Sequence, residues 1–110
     1  MKRIFLLIFV FAAIDGACQV RPFRFAFVSD THIGSPNGAA EEDLHRTVSD
    51  INSMNDVAFV VLTGDVTELG TDEELKSAKQ ILDNLDVPWY IIPGRMERER
   101  GFGLYRNFWK

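Results

Sequence analysis

Two rhythms of apolar and polar positions alternate through residues 23–92. Residues 23–29 (FRFAFVS) are rich in aromatic and branched side chains and end at a polar cluster, the pattern of a short strand. In residues 39–54, Leu44, Val48 and Ile51 recur at helical spacing, and Glu41, Glu42 and Asp43 occupy the first turn, where the helix dipole favours negative charge. Residues 57–63 (VAFVVLT) form a continuous apolar run, which predicts a parallel strand covered on both faces. Thr71 and Glu74 have the spacing of a capping box, after which Leu75, Ala78, Leu82 and Leu85 line one helical face. Residues 87–92 (VPWYII) predict a third strand, with Pro88 near its start, where a missing N–H does least harm.

The resulting order, β-α-β-α-β, predicts an α/β fold with right-handed crossovers, a parallel sheet and helices packed on it. In open sheets of this kind ligands collect beyond the carboxyl ends of the strands. The residues to inspect for chemistry are therefore Asp30-Thr31-His32, Gly64-Asp65 and Pro93-Gly94.

Composition narrows the class. With 46% apolar and 25% charged residues in a chain of 110, one globular domain is the ceiling. A formal net charge of -4 provides no basic field for a phosphate backbone, so nucleic acid is not expected as a partner, whereas a small phosphoester remains open. The single cysteine, Cys18, excludes an internal disulfide and a Cys/His zinc cluster.

The start of the chain follows a different rule. Lys2 and Arg3 precede an apolar run over residues 4–13 that is shorter than the roughly 20 residues needed to span a bilayer. Gly16, Ala17 and Cys18 follow, and the three parts together predict a signal peptide over residues 1–18 and an exported, periplasmic or secreted product with no transmembrane helix after processing. Two processing routes stay open: ordinary cleavage after Cys18, or a lipid anchor on Cys18, against which Asp15 stands where a lipoprotein signal has a leucine-like residue.

Asp30 and His32 are two residues apart, so in a locally extended loop their side chains point the same way and converge on one cation. A carboxylate and an imidazole suit Fe, Mn or Zn. Asp65 follows a glycine that permits a tight turn, and it lies beside the first pair if the second strand neighbours the first. Two cations about 3.5–4 Å apart, bridged by a carboxylate, polarise a phosphoryl oxygen and lower the pKa of water. Each residue alone also has a plain reading, Asp30 and Asp65 as turn residues and His32 as a half-exposed loop histidine. Their fall at successive strand ends favours the metal reading. His45 sits within the first helix as a solvent-facing residue.

The segments FVSDTHIG, VVLTGDVTELG and PWYIIPG, in that order, resemble the first three blocks of the calcineurin-like metallophosphoesterases. The resemblance covers about residues 23–94. It implies that residues 22–110 are the N-terminal part of such a domain, a β-α-β-α-β portion of a four-layer α/β/β/α sandwich. It further implies two divalent or trivalent metal ions (Mn, Fe or Zn), with Asp30 and His32 on one and Asp65 bridging both. The activity implied is hydrolysis of a small-molecule phosphoester.

The third block departs from the family, where Gly-Asn-His-Asp or Gly-Asn-His-Glu supplies an asparagine ligand and a histidine. Here Gly94 is followed by Arg95, Met96 and Glu97. Guanidinium carries only donors and a thioether is a soft, weak ligand, so neither Arg95 nor Met96 takes over those roles. No Gly-His-x-His block follows. Residues 95–100 (RMERER) read as a charge run, and Phe102, Leu104, Tyr105, Phe108 and Trp109 as an unfinished apolar tail. Truncation, a nearly inactive chain and marginal folding are the expectations. The competing readings are a non-catalytic exported α/β binding module or pseudoenzyme, and a receiver-like or flavodoxin-like domain, which fits export badly.

Overall fold

A computed structural model of the chain describes residues 21–98. The predicted signal peptide over residues 1–18, with Cys18, and the apolar tail after residue 100 lie outside the described residues. Within them the order is β1 (Arg24–Ser29), α1 (Ala40–Asn52), β2 (Val57–Thr63), α2 (Asp72–Leu82) and β3 (Trp89–Ile91). The strands form a parallel sheet in the order β1-β2-β3. This is the expected α/β arrangement, with boundaries trimmed by one or two residues at most ends.

Local chemistry accounts for the helices. Thr71 accepts the Glu74 N–H through its side chain, Glu74 returns to the Thr71 N–H, and α2 starts there. The acidic first turn of α1 contains Glu41, Glu42 and Asp43, as its sequence suggests. The core lies between the helices and one face of the sheet: Leu44, Val48 and Ile51 of α1 and Ala78, Ile81 and Leu82 of α2 pack with Val60 and Leu62 of β2. Leu85, past the end of α2, packs against this cluster from the loop.

One expectation is corrected. The apolar run of β2 is not covered on both faces, because among the described residues both helices contribute to one core and the opposite sheet face is open. That face presents Phe25 and Phe27 of β1, Tyr90 of β3, and Phe23 and Ile92 beside the strands, all more than half exposed. Phe59 ties it together, stacked on Phe25 at 5.2 Å between ring centroids and edge-on to Tyr90 at 6.0 Å. A fully apolar strand therefore accompanies here a sheet whose second side is uncovered among the described residues. No helix among the described residues is long and apolar enough to cross a membrane.

Candidate metal centre

Sheet register brings the strand ends together. Because β1 and β2 run parallel with Ser29 opposite Thr63, the two loops that follow leave the sheet side by side. Backbone bonds then lace them: Asp30 N–H to Thr63 O and His32 N–H to Asp65 O, both 3.2 Å, and Ile33 N–H to Val66 O, 2.9 Å. A single parallel bridge between Ile33 and Thr67, both fully buried, anchors the pair of loops to the core.

The β1 loop is not extended, contrary to expectation. Asp30 has φ 54° and His32 has φ 46°, both in the left-handed region. Asp and His are among the non-glycine residues that enter it most readily, and such conformations gather where surrounding structure holds the chain for a functional purpose. The two-residue spacing thus brings Asp30 and His32 to the same loop by a double left-handed turn rather than by strand alternation.

Each predicted residue has its own environment. The Asp30 carboxylate is solvent-exposed and accepts from the Ser29 hydroxyl and, at 3.4 Å, from the Asp65 N–H. The Ser29 hydroxyl, followed by the Asp65 N–H, holds the Asp30 carboxyl below the ordinary carboxylate range. Gly64 makes this approach feasible: at φ 72°, a Cβ there would sit 2.6 Å from Asp30 Oδ1. Asp65 points Oδ1 at the N–H groups of Arg95 (2.8 Å) and Met96 (3.3 Å), past β3. His32 places Nδ1 2.9 Å from Glu68 Oε2. His45 is exposed on α1, away from this group, as expected.

The structure therefore brings Asp30 against the Gly64-Asp65 turn and His32 beside it, but turns the three side chains to different partners. Among the described residues no group of three His, Cys, Asp or Glu side chains stands close enough to hold an ion in this arrangement. The donor types, two carboxylates and one imidazole, fit the chemistry of a single Mn, Fe or Zn ion. A second ion finds no counterpart at residues 95 and 96, whose backbone N–H groups instead face the carboxylate that would bridge.

Two acidic residues escaped the sequence reading. Glu97 lies within what reads as a solvated charge run, yet it is 2% exposed. Its Oε1 accepts from the Thr67 N–H and hydroxyl, each at 2.8 Å, and its Oε2 from the Gly94 N–H at 3.0 Å. Its position as the acid of a Gly-x-x-Glu block is the signal that distinguishes it from its charged neighbours. Glu68 is the other; only its place three residues after Asp65 pointed to the site. An open cleft of about 330 Å³ adjoins the centre, lined on the site side by Asp30, Thr31 and His32 and on the other by Asn37, Asp43 and Thr47.

Comparison with known proteins places these features in context. The sequence profile of the calcineurin-like phosphoesterases matches residues 23–110. A protein of Arcobacter nitrofigilis named as a probable glycerophosphodiester phosphodiesterase, GpdQ, is 42% identical over 88 residues, covering 74% of this chain and 32% of that protein. The glycerophosphodiester phosphodiesterase GpdQ of Enterobacter lignolyticus is 30% identical over 89 residues, covering 73% of this chain and 31% of that protein. The chain thus spans about a third of the length of the curated relatives it matches.

Proposed function

Since this chain belongs to the calcineurin-like phosphoesterase family, whose members use divalent metals, we propose that it carries the first part of a metal-dependent phosphodiesterase centre. Asp30, His32 and Asp65 are the residues that would hold an ion. The observation that carries this reading is the lacing of the two loops: the Asp65 N–H reaches the Asp30 carboxylate and the His32 N–H reaches the Asp65 carbonyl. A divalent ion at such donors supplies Lewis-acid polarisation of a phosphoryl oxygen and lowers the pKa of water. The names of the two relatives favour a phosphodiester over a monoester as substrate class.

The residues of the chain itself account for binding and order. The Asp30 carboxylate, kept ionised by Ser29 and the Asp65 N–H, offers a ready anionic ligand. Glu97 fixes the loop after β3 to the loop after β2, the loop that carries Asp65. The leader read in residues 1–18 puts this chemistry outside the cytoplasm, and mass spectrometry of the exported fraction tests that part.

Arg95 and Met96 support a second reading, a pseudoenzyme or binding module that takes one ion and turns over little. In the family a metal ligand and a histidine follow the glycine of the third block, and this chain offers neither there. A bis-aryl phosphodiester assay with added Mn or Zn decides between them. Weak turnover that vanishes in Asp30→Ala and Asp65→Ala supports the phosphodiesterase reading. Ion binding with no metal-dependent hydrolysis moves the chain to the binding module.

A further inference from the structure

His32 and Glu68 come from different loops and meet at 2.9 Å through Nδ1 and Oε2. The backbone fixes this meeting. Ile33, next to His32, and Thr67, next to Glu68, form the fully buried parallel bridge, and the Glu68 N–H donates to Ile33 O at 2.9 Å. Both partners therefore extend from one anchored point, and neither loop can slide without breaking the bridge.

An ionised carboxylate only accepts hydrogen bonds, so a neutral imidazole facing one must put its proton on the facing nitrogen. We propose that Glu68 is a positioning residue that fixes His32 as the Nδ1–H tautomer and presents Nε2, with its lone pair, as the atom that ligates a metal. The ligand half of this inference rests on the reading of His32 given above; the tautomer half stands on the geometry alone. A carboxylate behind a ligating histidine orients the ring and makes it more basic, and loss of such a partner typically weakens metal affinity about 10–100-fold.

Long-range 1H–15N correlation spectra of the metal-free, 15N-labelled full chain above neutral pH read the tautomer directly, with exposed His45 as the reference ring. The expected result is Nδ1 protonated and Nε2 unprotonated in His32. Glu68→Ala should shift the ring toward the Nε2–H tautomer and weaken zinc binding about 10–100-fold. Glu68→Gln, whose amide oxygen still accepts, should keep the Nδ1 proton and most of the affinity. A wild-type His32 protonated on Nε2, or a tautomer unchanged in Glu68→Ala, overturns the inference, and the first of these needs no variant to fold. Zinc that leaves the Nε2 resonance of a correctly tautomeric His32 unmoved sinks the metal reading, and the ligand half with it, while Glu68's hold on the ring stands.

Discussion

Asp65 accepts the backbone N–H of Arg95 at 2.8 Å, so the carboxylate at the start of the loop after β2 also caps the helical turn that begins after β3. The first N–H groups of a helical turn lack partners within it, and a carboxylate from another strand supplies one. Residues 95 and 96, which depart from the family block in side chain, thus remain tied to the site through their backbone.

Glu97 is the second tie across these loops, and the only acid more than nine-tenths buried among the described residues. Replacing it by alanine leaves the Thr67 N–H, the Thr67 hydroxyl and the Gly94 N–H without their acceptor. Stability to urea should fall by about 2–4 kcal/mol, at a cost of about 1–3 kcal/mol for each unsatisfied buried group partly relieved by water entry. Glu97→Gln should lose less, since one oxygen still accepts from Thr67 while the amide group opposes the Gly94 N–H. Equal stability of wild type and Glu97→Ala would show that the clamp is not formed in solution.

The close approach of the two loops requires glycine at position 94. A Cβ there would lie 2.3 Å from Gly64 O and 2.4 Å from Asp65 Oδ1, with rigid backbone on one side. Gly94→Ala should therefore separate the loops and cost about 2 kcal/mol or more. Gly38→Ala is the control, because nothing lies within 4 Å of a Cβ at that position, and its effect should stay within about 0.5 kcal/mol. Denaturation midpoints of the two variants make the comparison.

Much of this arrangement was legible beforehand, and what was not has physical causes. The strands and helices followed from periodicity, and the capping box at Thr71 and Glu74 formed as its spacing implies. Asp30, His32 and Asp65 do lie at neighbouring strand ends, since parallel register leaves those loops adjacent. The left-handed φ of Asp30 and His32 could not be read, because no local pattern separates that turn from an extended loop. The periodicity of β2 alone did not reveal its open face either, since an apolar run looks alike whichever layer covers it; the small number of strands is what pointed to a missing second layer. Glu97 was hidden by its charged neighbours: apart from its place three residues after Gly94, what separates it from a solvated acid is its tertiary partners, Thr67 and Gly94.

Asp30 gives a pH signature. Its pKa lies below the ordinary value of 3.8, held down first by the Ser29 hydroxyl and then by the Asp65 N–H. A depressed carboxylate contributes stability that is fully present above its unfolded pKa and lost as pH falls through the lower folded value. The loss therefore occurs below about pH 3.8. In the metal-free protein, Ser29→Ala should raise the Asp30 pKa toward the ordinary value, as followed by carboxyl-carbon NMR titration. An identical Asp30 titration in Ser29→Ala would remove Ser29 as the cause.

The central claim, that Asp30, His32 and Asp65 together hold a divalent ion, is tested most directly by calorimetric titration of the full chain with zinc. One ion per chain is predicted, with binding lost or weakened at least tenfold in each of Asp30→Ala, His32→Ala and Asp65→Ala and unchanged in His45→Ala, consistent with a shared ligand set. No saturable binding to the folded wild type, or binding unaffected by all three substitutions, would contradict the account.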